Sequence, residues 1–241
     1  GDNNMELKYM KIYNELVKTI EEEEISPGEK LPSESELMER YGVSRDTIRK
    51  SLDLLEENGY IQKAKGKGSF VLDINKFDFP VSGIVSFKEI SKKMGHSFRT
   101  IVEYLELKKP NKEIKKKLQL GEKDLVWEVI RVREIDGEKI ILDKDYFNNE
   151  YIKGLTNEIC EDSTYEYIEN ELKLNINYAK KEIIVERATK EDKRYLDLQD
   201  FNMVVVVKSY TYLSDASLFQ YTESRHRPDK FKFVDFARRR H

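Results

Sequence analysis

Two pairs of arginines carry the most legible chemistry of this 241-residue chain. Arg45 and Arg49 stand one helical turn apart in Ser44-Arg45-Asp46-Thr47-Ile48-Arg49-Lys50. A guanidinium is a planar fork of donors that matches the O6/N7 edge of guanine in a major groove. Ser44, Thr47 and the free N–H groups of a helix start suit phosphate oxygens. Further on, Lys63, Lys65 and Lys67 surround Gly66, a narrow basic tip of a size to enter a minor groove. Arg131 and Arg133 alternate along a strand-like run, so both side chains leave the same face. Two forks on one face, near helix starts at Ser86 and Ser163, suit a small anion such as phosphate. Each pair also has a plainer reading. Asp46 can pair with Arg49 or Lys50 along a solvated helix, and Asp143 and Asp145 can neutralise Arg131 and Arg133 as a salt-bridged strand face.

Positioning these groups requires particular elements. Ile12, Leu16 and Ile20 recur at helical spacing in a first helix, which ends in the acidic run Glu21 to Glu24 before Pro27-Gly28. Ser33 and Glu36 form a reciprocal capping pattern that opens a second helix, and Gly42 ends it. Ser44 caps a third helix reaching Asn58, with Gly59 at the left-handed stop and Ile48, Leu52 and Leu55 on its core face. Tyr60 to Leu72 reads as a hairpin turning at Lys65-Gly66-Lys67-Gly68. Helix, helix, short Gly turn, helix and hairpin make a winged helix-turn-helix pattern.

Beyond a connector at 74–82, strands dominate. Leu125 to Ile135 and Lys139 to Phe147 flank the hairpin turn Asp136-Gly137. Further strands read at Tyr178 to Arg187, Met203 to Leu213 and Leu218 to His226, and the run Met203 to Val207 suits a strand covered on both faces. Helices read at Lys88 to Met94, Lys112 to Leu118, Tyr165 to Leu172 and Lys190 to Leu196. The fold class is α+β: an N-terminal winged helix-turn-helix domain at 5–73, a linker, and an antiparallel-sheet domain at 83–241.

Composition narrows the function classes. Charged residues make up 37% of the chain, yet 43 Lys+Arg nearly balance 46 Asp+Glu, so overall charge signals no nucleic acid and local placement must. The single cysteine, Cys160, excludes an internal disulfide framework and reads as a small buried residue. Three histidines, His96, His226 and His241, stand far apart without metal-ligand spacing. No apolar run is long enough for a membrane span, and no leader pattern opens the chain, so a cytoplasmic protein without cofactor or metal is expected. Gly1 to Asn4, ahead of Met5, read as a cloning remnant. A lyase or sugar-phosphate hydrolase would need a nucleophile, a metal or an acid/base pair, and none is legible.

Leu31-Pro32-Ser33-Glu34, Val43-Ser44-Arg45-Asp46-Thr47-Ile48-Arg49 and Gly66-Lys67-Gly68-Ser69-Phe70-Val71 resemble the signature of GntR-family bacterial transcription regulators. By that resemblance Arg45, Thr47 and Arg49 contact DNA and Gly66 sits at the wing tip. With Ser33, Ser44, Lys65 and Lys67 they form the expected DNA-binding set. Ser35 stands where some members place an arginine. Val85-Ser86-Phe87-Lys88, Arg131-Val132-Arg133, Ser163-Thr164-Tyr165 and the run Tyr221 to Arg227 resemble ligand-site segments of the HutC subfamily's effector domain, the chorismate-lyase-like UTRA fold. The resemblance implies a phosphate held by Ser86, Phe87, Lys88, Arg131, Arg133, Ser163 and Tyr165. It places sugar hydroxyls on Asp143, Gln220 and His226. Gln220 stands where amino-sugar-responsive relatives commonly carry Glu, which agrees with a neutral sugar. Phe79 to Gly83, Leu142 to Phe147 and Phe219 to Arg227 are most like trehalose-responsive members. The resemblance thus implies a homodimeric repressor on a palindromic double-stranded operator, released by trehalose 6-phosphate, with an amino-sugar phosphate or a fatty acid as alternative effectors.

Overall fold

The computed structural model describes residues 2–72, 87, 88, 91 and 97–233, which fall into two compact units. The expected connector at 74–82, Ser86, and most of the helix expected over Lys88 to Met94 lie outside them.

The first unit contains α1 (Asp2–Glu21), α2 (Glu34–Tyr41), α3 (Arg45–Glu57) and the hairpin β1 (Ile61–Ala64) and β2 (Gly68–Val71). Ile12, Leu16 and Ile20 of α1 pack with Leu37, Ile48, Leu52 and Leu55, and the hairpin adds Ile61 and Val71. Each such side chain contributes about 1.5–3 kcal/mol on burial, so the α3 core face holds its outer face in place. Ser51 Oγ ties α3 to α1 by donating to the Tyr9 carbonyl at 2.8 Å. The capping box closes as expected: Ser33 Oγ accepts from Glu36 N–H, and the Glu36 carboxylate accepts from Ser33 N–H. Gly42 takes φ +62 between α2 and α3, a left-handed turn that a Cβ would strain. The helix α3 stops at Glu57, with Asn58 as its cap.

The second unit is one six-stranded sheet, antiparallel throughout, in the order β3-β4-β5-β8-β7-β6. Its strands are β3 (Phe98–Lys108), β4 (Val126–Ile135), β5 (Glu138–Asn148), β6 (Ile176–Arg187), β7 (Met203–Leu213) and β8 (Leu218–His226). Between them lie α4 (Lys112–Lys117), α5 (Asn157–Asp162), α6 (Thr164–Glu166) running into a π-helical turn Tyr167–Glu171, and α7 (Lys190–Tyr195). On one sheet face α5 and the π turn cover Val129, Phe147 and Leu213 with Cys160 and Ile168. On the other, Ile114 of α4 and Leu118 just after it cover Tyr146 and Tyr221, while Leu196 and Leu198 cover Val132, Leu142, Val204 and Val206.

Four sequence readings need correction. The strand β3 and the helix α5 were not expected. A bulge between Val102 and Tyr104 shifts the parity of β3 and blurs its alternation, and six residues are too few for α5 to display a helical period. The helix expected over Tyr165 to Leu172 is a three-residue α6 followed by the π turn. The valine run of β7 is covered on both faces only at its end: Val204 and Val206 are buried on one face, while on the other Val207 is buried but Val205 is half-buried and Val185 opposite it on β6 is 62% exposed.

Candidate DNA-reading surface and effector site

The α3 start presents Ser44, Arg45 and Arg49 outward, and Lys65, Gly66 and Lys67 form the exposed tip of the hairpin. Gly66 holds φ +74 with open space where a Cβ would stand, so the turn and not crowding requires glycine. Thr47 faces inward: it is buried, and its hydroxyl lies 3.0 Å from Ser44 Oγ. It supports the cap and presents no donor outward. Ser33 likewise spends its hydroxyl on the α2 cap. Arg49 pairs not with Asp46 but with Glu34, from which Arg45 also stands 3.7 Å. Lys63 pairs with Asp53, which leaves the wing charge to Lys65 and Lys67.

In the second unit, strand alternation brings the expected effector residues together. Register places Arg133 opposite Thr100 and Ile141, Asp143 opposite Ser224, and Asp145 opposite Thr222, all on the face that α5 covers. Arg131 NH2 reaches Asp145 Oδ2 at 2.7 Å, and Arg133 Nε reaches Asp143 Oδ2 at 2.8 Å. Both arginines are buried. Arg131 NH1 also donates to the Cys160 carbonyl, and Arg133 NH1 to Thr100 Oγ1. Arg131 Nε is buried and has no acceptor among the described residues.

Two hydrogen-bonded arms extend from this four-charge ladder. Asp145 Oδ1 accepts from Gln220 Nε2 and Thr222 Oγ1, and the Gln220 side-chain oxygen accepts from the Tyr165 hydroxyl. Asp143 Oδ1 accepts from Ser224 Oγ, which lies 2.9 Å from His226 Nε2. Ser163 caps α6 through Glu166 N–H. Because α6 is one short turn, the helix-terminus contribution expected at Ser163 is smaller than a full helix would supply. The Phe87 ring lies 4.6 Å from the Arg133 guanidinium carbon and packs edge-on against Phe98. The Lys88 ammonium bridges Asp162 and Glu166 at 2.7 and 2.9 Å.

Electrostatics follow from this geometry. Burial opposes the Asp143 charge, but Arg133 and Arg131 outweigh it and hold the carboxyl below its ordinary range. Burial and the neighbouring Arg131 charge pull Arg133 down. Burial lowers His226 to about 4, so the ring is neutral near pH 7. Burial raises the Cys160 thiol to about 11, which removes it as a nucleophile. Sequence reasoning passed over Thr100, Thr222 and Ser224, and took Asp145 for a structural partner alone. The signal was present in the period-two series Gln220, Thr222, Ser224, His226 on one strand.

Residues 8–71 match the family described as bacterial regulatory proteins, gntR family, and residues 93–232 match the UTRA domain family. Over 232 residues the chain is 54% identical to the HTH-type transcriptional regulator TreR of Bacillus subtilis, covering 96% of this chain and 98% of that one. The chain belongs to the GntR family. Its members in the comparison are regulators, and this GntR-family protein is a transcription regulator and not an enzyme. It is also 28% identical over 96% of its length to the mannosyl-D-glycerate transport/metabolism system repressor MngR of Escherichia coli, of which it covers 96%. The crystal structure of the possible transcriptional regulator YydK of B. subtilis superposes with TM-score 0.78 at 28% identity, covering 96% of this chain and 99% of that one. The effector-binding domain of the B. subtilis trehalose repressor superposes with TM-score 0.55 at 56% identity, over 59% of this chain and 99% of that one. As a GntR-family regulator the protein binds DNA, and its UTRA domain takes a small-molecule effector. No described helix is long and apolar enough to cross a membrane.

Proposed function

We propose that this protein is a homodimeric repressor of trehalose-utilisation genes, acting in the cytoplasm and released from a palindromic operator by trehalose 6-phosphate. The DNA-reading domain is 5–73, the linker 74–82, and the effector-binding and dimerisation domain 83–241. Arg45 and Arg49 read base edges, Ser44 and the α3 start meet phosphates, and Lys65, Gly66 and Lys67 enter the minor groove. Arg131, Arg133, Lys88, Ser163 and Tyr165, with Ser86 and Phe87, hold the phosphate. Asp143, Gln220 and His226 take sugar hydroxyls.

The buried Arg131–Arg133 pair carries the anion part of this reading. Two aspartates already balance the pair, so it is folded without a ligand, yet a buried donor on Arg131 is left over. An arriving phosphate supplies acceptors for charge-assisted hydrogen bonds where neutral groups give weaker ones. The sugar part is supported by the trehalose-repressor relative at 54% identity and its effector-binding domain at 56%. Release requires that the effector prefer one arrangement of the two reading domains over the other.

Calorimetry of the full chain with trehalose 6-phosphate and with trehalose tests the reading. Wild type binds the phosphorylated sugar far more tightly. Arg133→Ala loses about 2–5 kcal/mol of that affinity, by analogy with truncated buried charge pairs at interfaces, and still binds operator without being released. Equal affinity of wild type for the two sugars would reduce the arginine pair to a salt-bridged strand face.

A further inference from the structure

Glu34 occupies the first position of α2, directly after the Ser33 cap, and its carboxylate reaches both arginines of α3. Arg49 Nε stands 3.3 Å from each Glu34 oxygen, and Arg45 Nε stands 3.7 Å from Oε2. The Ser33–Glu36 capping box sets where α2 begins, so backbone geometry fixes the place of this carboxylate. Arg45 and Arg49 are like charges at i, i+4, which repel along a helix. A shared anion relieves that repulsion and limits where the two long side chains can swing. Both contacts use the Nε edge of the guanidinium. The NH1/NH2 end is thereby the free fork, and that end matches O6 and N7 of guanine. The Glu34 side chain is itself 37% exposed beside arginines that are 54% exposed, so it shares their surface.

We propose that Glu34 is a specificity-determining residue of the DNA-reading surface, which it serves in two ways. It pre-orients Arg45 and Arg49 toward base edges, and its negative charge penalises loose contact with the phosphate backbone. Non-specific binding is almost wholly electrostatic, so a carboxylate among the reading arginines weakens it selectively. Specificity is a difference of affinities, and a built-in repulsive element widens that difference. The inference rests on the base-reading role proposed above for Arg45 and Arg49.

The test compares full-length wild type, Glu34→Gln and Arg49→Ala by fluorescence anisotropy across a salt series. The probes are a duplex enriched by wild type from a random-sequence library and the same duplex scrambled. Glu34→Gln should bind scrambled DNA more tightly, with a log K against log salt slope steeper by about 0.9, the value for one further neutralised phosphate. Its ratio of enriched to scrambled affinity should fall about tenfold, within the range for one bidentate base contact. Melting curves of both variants check that the exposed substitutions leave the fold intact. If Arg49→Ala loses its sequence preference while Glu34→Gln keeps the wild-type ratio, the role of Glu34 is overturned and base reading stands. If Arg49→Ala keeps the ratio, base reading itself fails and the inference falls with it.

Discussion

At the residue scale, the second unit shows how far a neutral side chain depends on what surrounds it. His226 lies under the Phe231 ring, with Ser224 at Nε2 and the Asp143 carboxylate beyond. Asp143 favours the imidazolium, but burial outweighs it and lowers the ring from 6.5 to about 4. The unfolded chain therefore binds a proton at His226 near pH 6.5, and the folded chain only near pH 4. Between those values the unfolded state holds more protons, so stability present above pH 6.5 is lost as the pH falls toward 4. At pH 5 the loss is about 2 kcal/mol for this one group. His226→Gln removes the titration and keeps a polar partner for Ser224. Urea denaturation at pH 7 and pH 5 should show a smaller acid loss in the variant than in wild type. Equal losses would mean that His226 is charged in the folded protein. The same burial keeps the ring neutral at working pH, in a state to accept as well as donate to a sugar hydroxyl.

At the element scale, the face of the sheet away from the effector site is held by a buried ion pair. Asp192 caps the start of α7 with Thr189 and accepts both Arg225 Nε and NH2, at 2.7 and 2.9 Å. Arg225 lies on β8 between Ser224 and His226, so this clamp fixes the strand whose other face carries the proposed effector site. Removing one partner of a buried pair typically costs about 3–5 kcal/mol, because the other charge is left uncompensated. Glu186 and Glu223 remain near Arg225, which puts Asp192→Ala toward the lower end, at about 3 kcal/mol. Thermal unfolding of the full chain measures it. A change under about 0.5 kcal/mol, the usual scatter for surface substitutions, would show that the two glutamates alone satisfy Arg225.

At the scale of the whole molecule, one winged helix contacts few phosphates, and a symmetric pair reading two half-sites gathers enough of them. The proposed homodimer has a direct expectation: light scattering of the full chain at micromolar concentration should give about twice the 28.6 kDa chain mass. A monomer would remove the palindromic operator from the proposal, because two-fold DNA symmetry mirrors two-fold protein symmetry. Dimeric reading also makes effector release intelligible, since a ligand that favours one spacing of two reading heads changes affinity without touching DNA.

The first unit was legible from the sequence almost residue by residue. Its elements are set by local rules: a capping box at Ser33 and Glu36, a helix cap at Ser44, glycines at left-handed turns, and apolar residues at helical spacing. The hairpin at Asp136-Gly137 and the strands at Met203–Leu213 and Leu218–His226 were legible for the same reason, because alternation and turn chemistry act between near neighbours. Strand parity alone placed Arg131 and Arg133 on one face. What only the tertiary structure decided are the pairings between distant segments. Glu34 with Arg45 and Arg49, Asp145 with Arg131 and Gln220, Ser224 with Asp143, and Asp192 with Arg225 all depend on register or helix packing. Thr47 shows the same limit, since a hydroxyl at a helix start faces solvent or its own cap according to how α3 is rotated in the core. A charge in the sequence states which partners it can take. Folding selects among them, because a buried charge must find a partner among the groups that packing brings within reach.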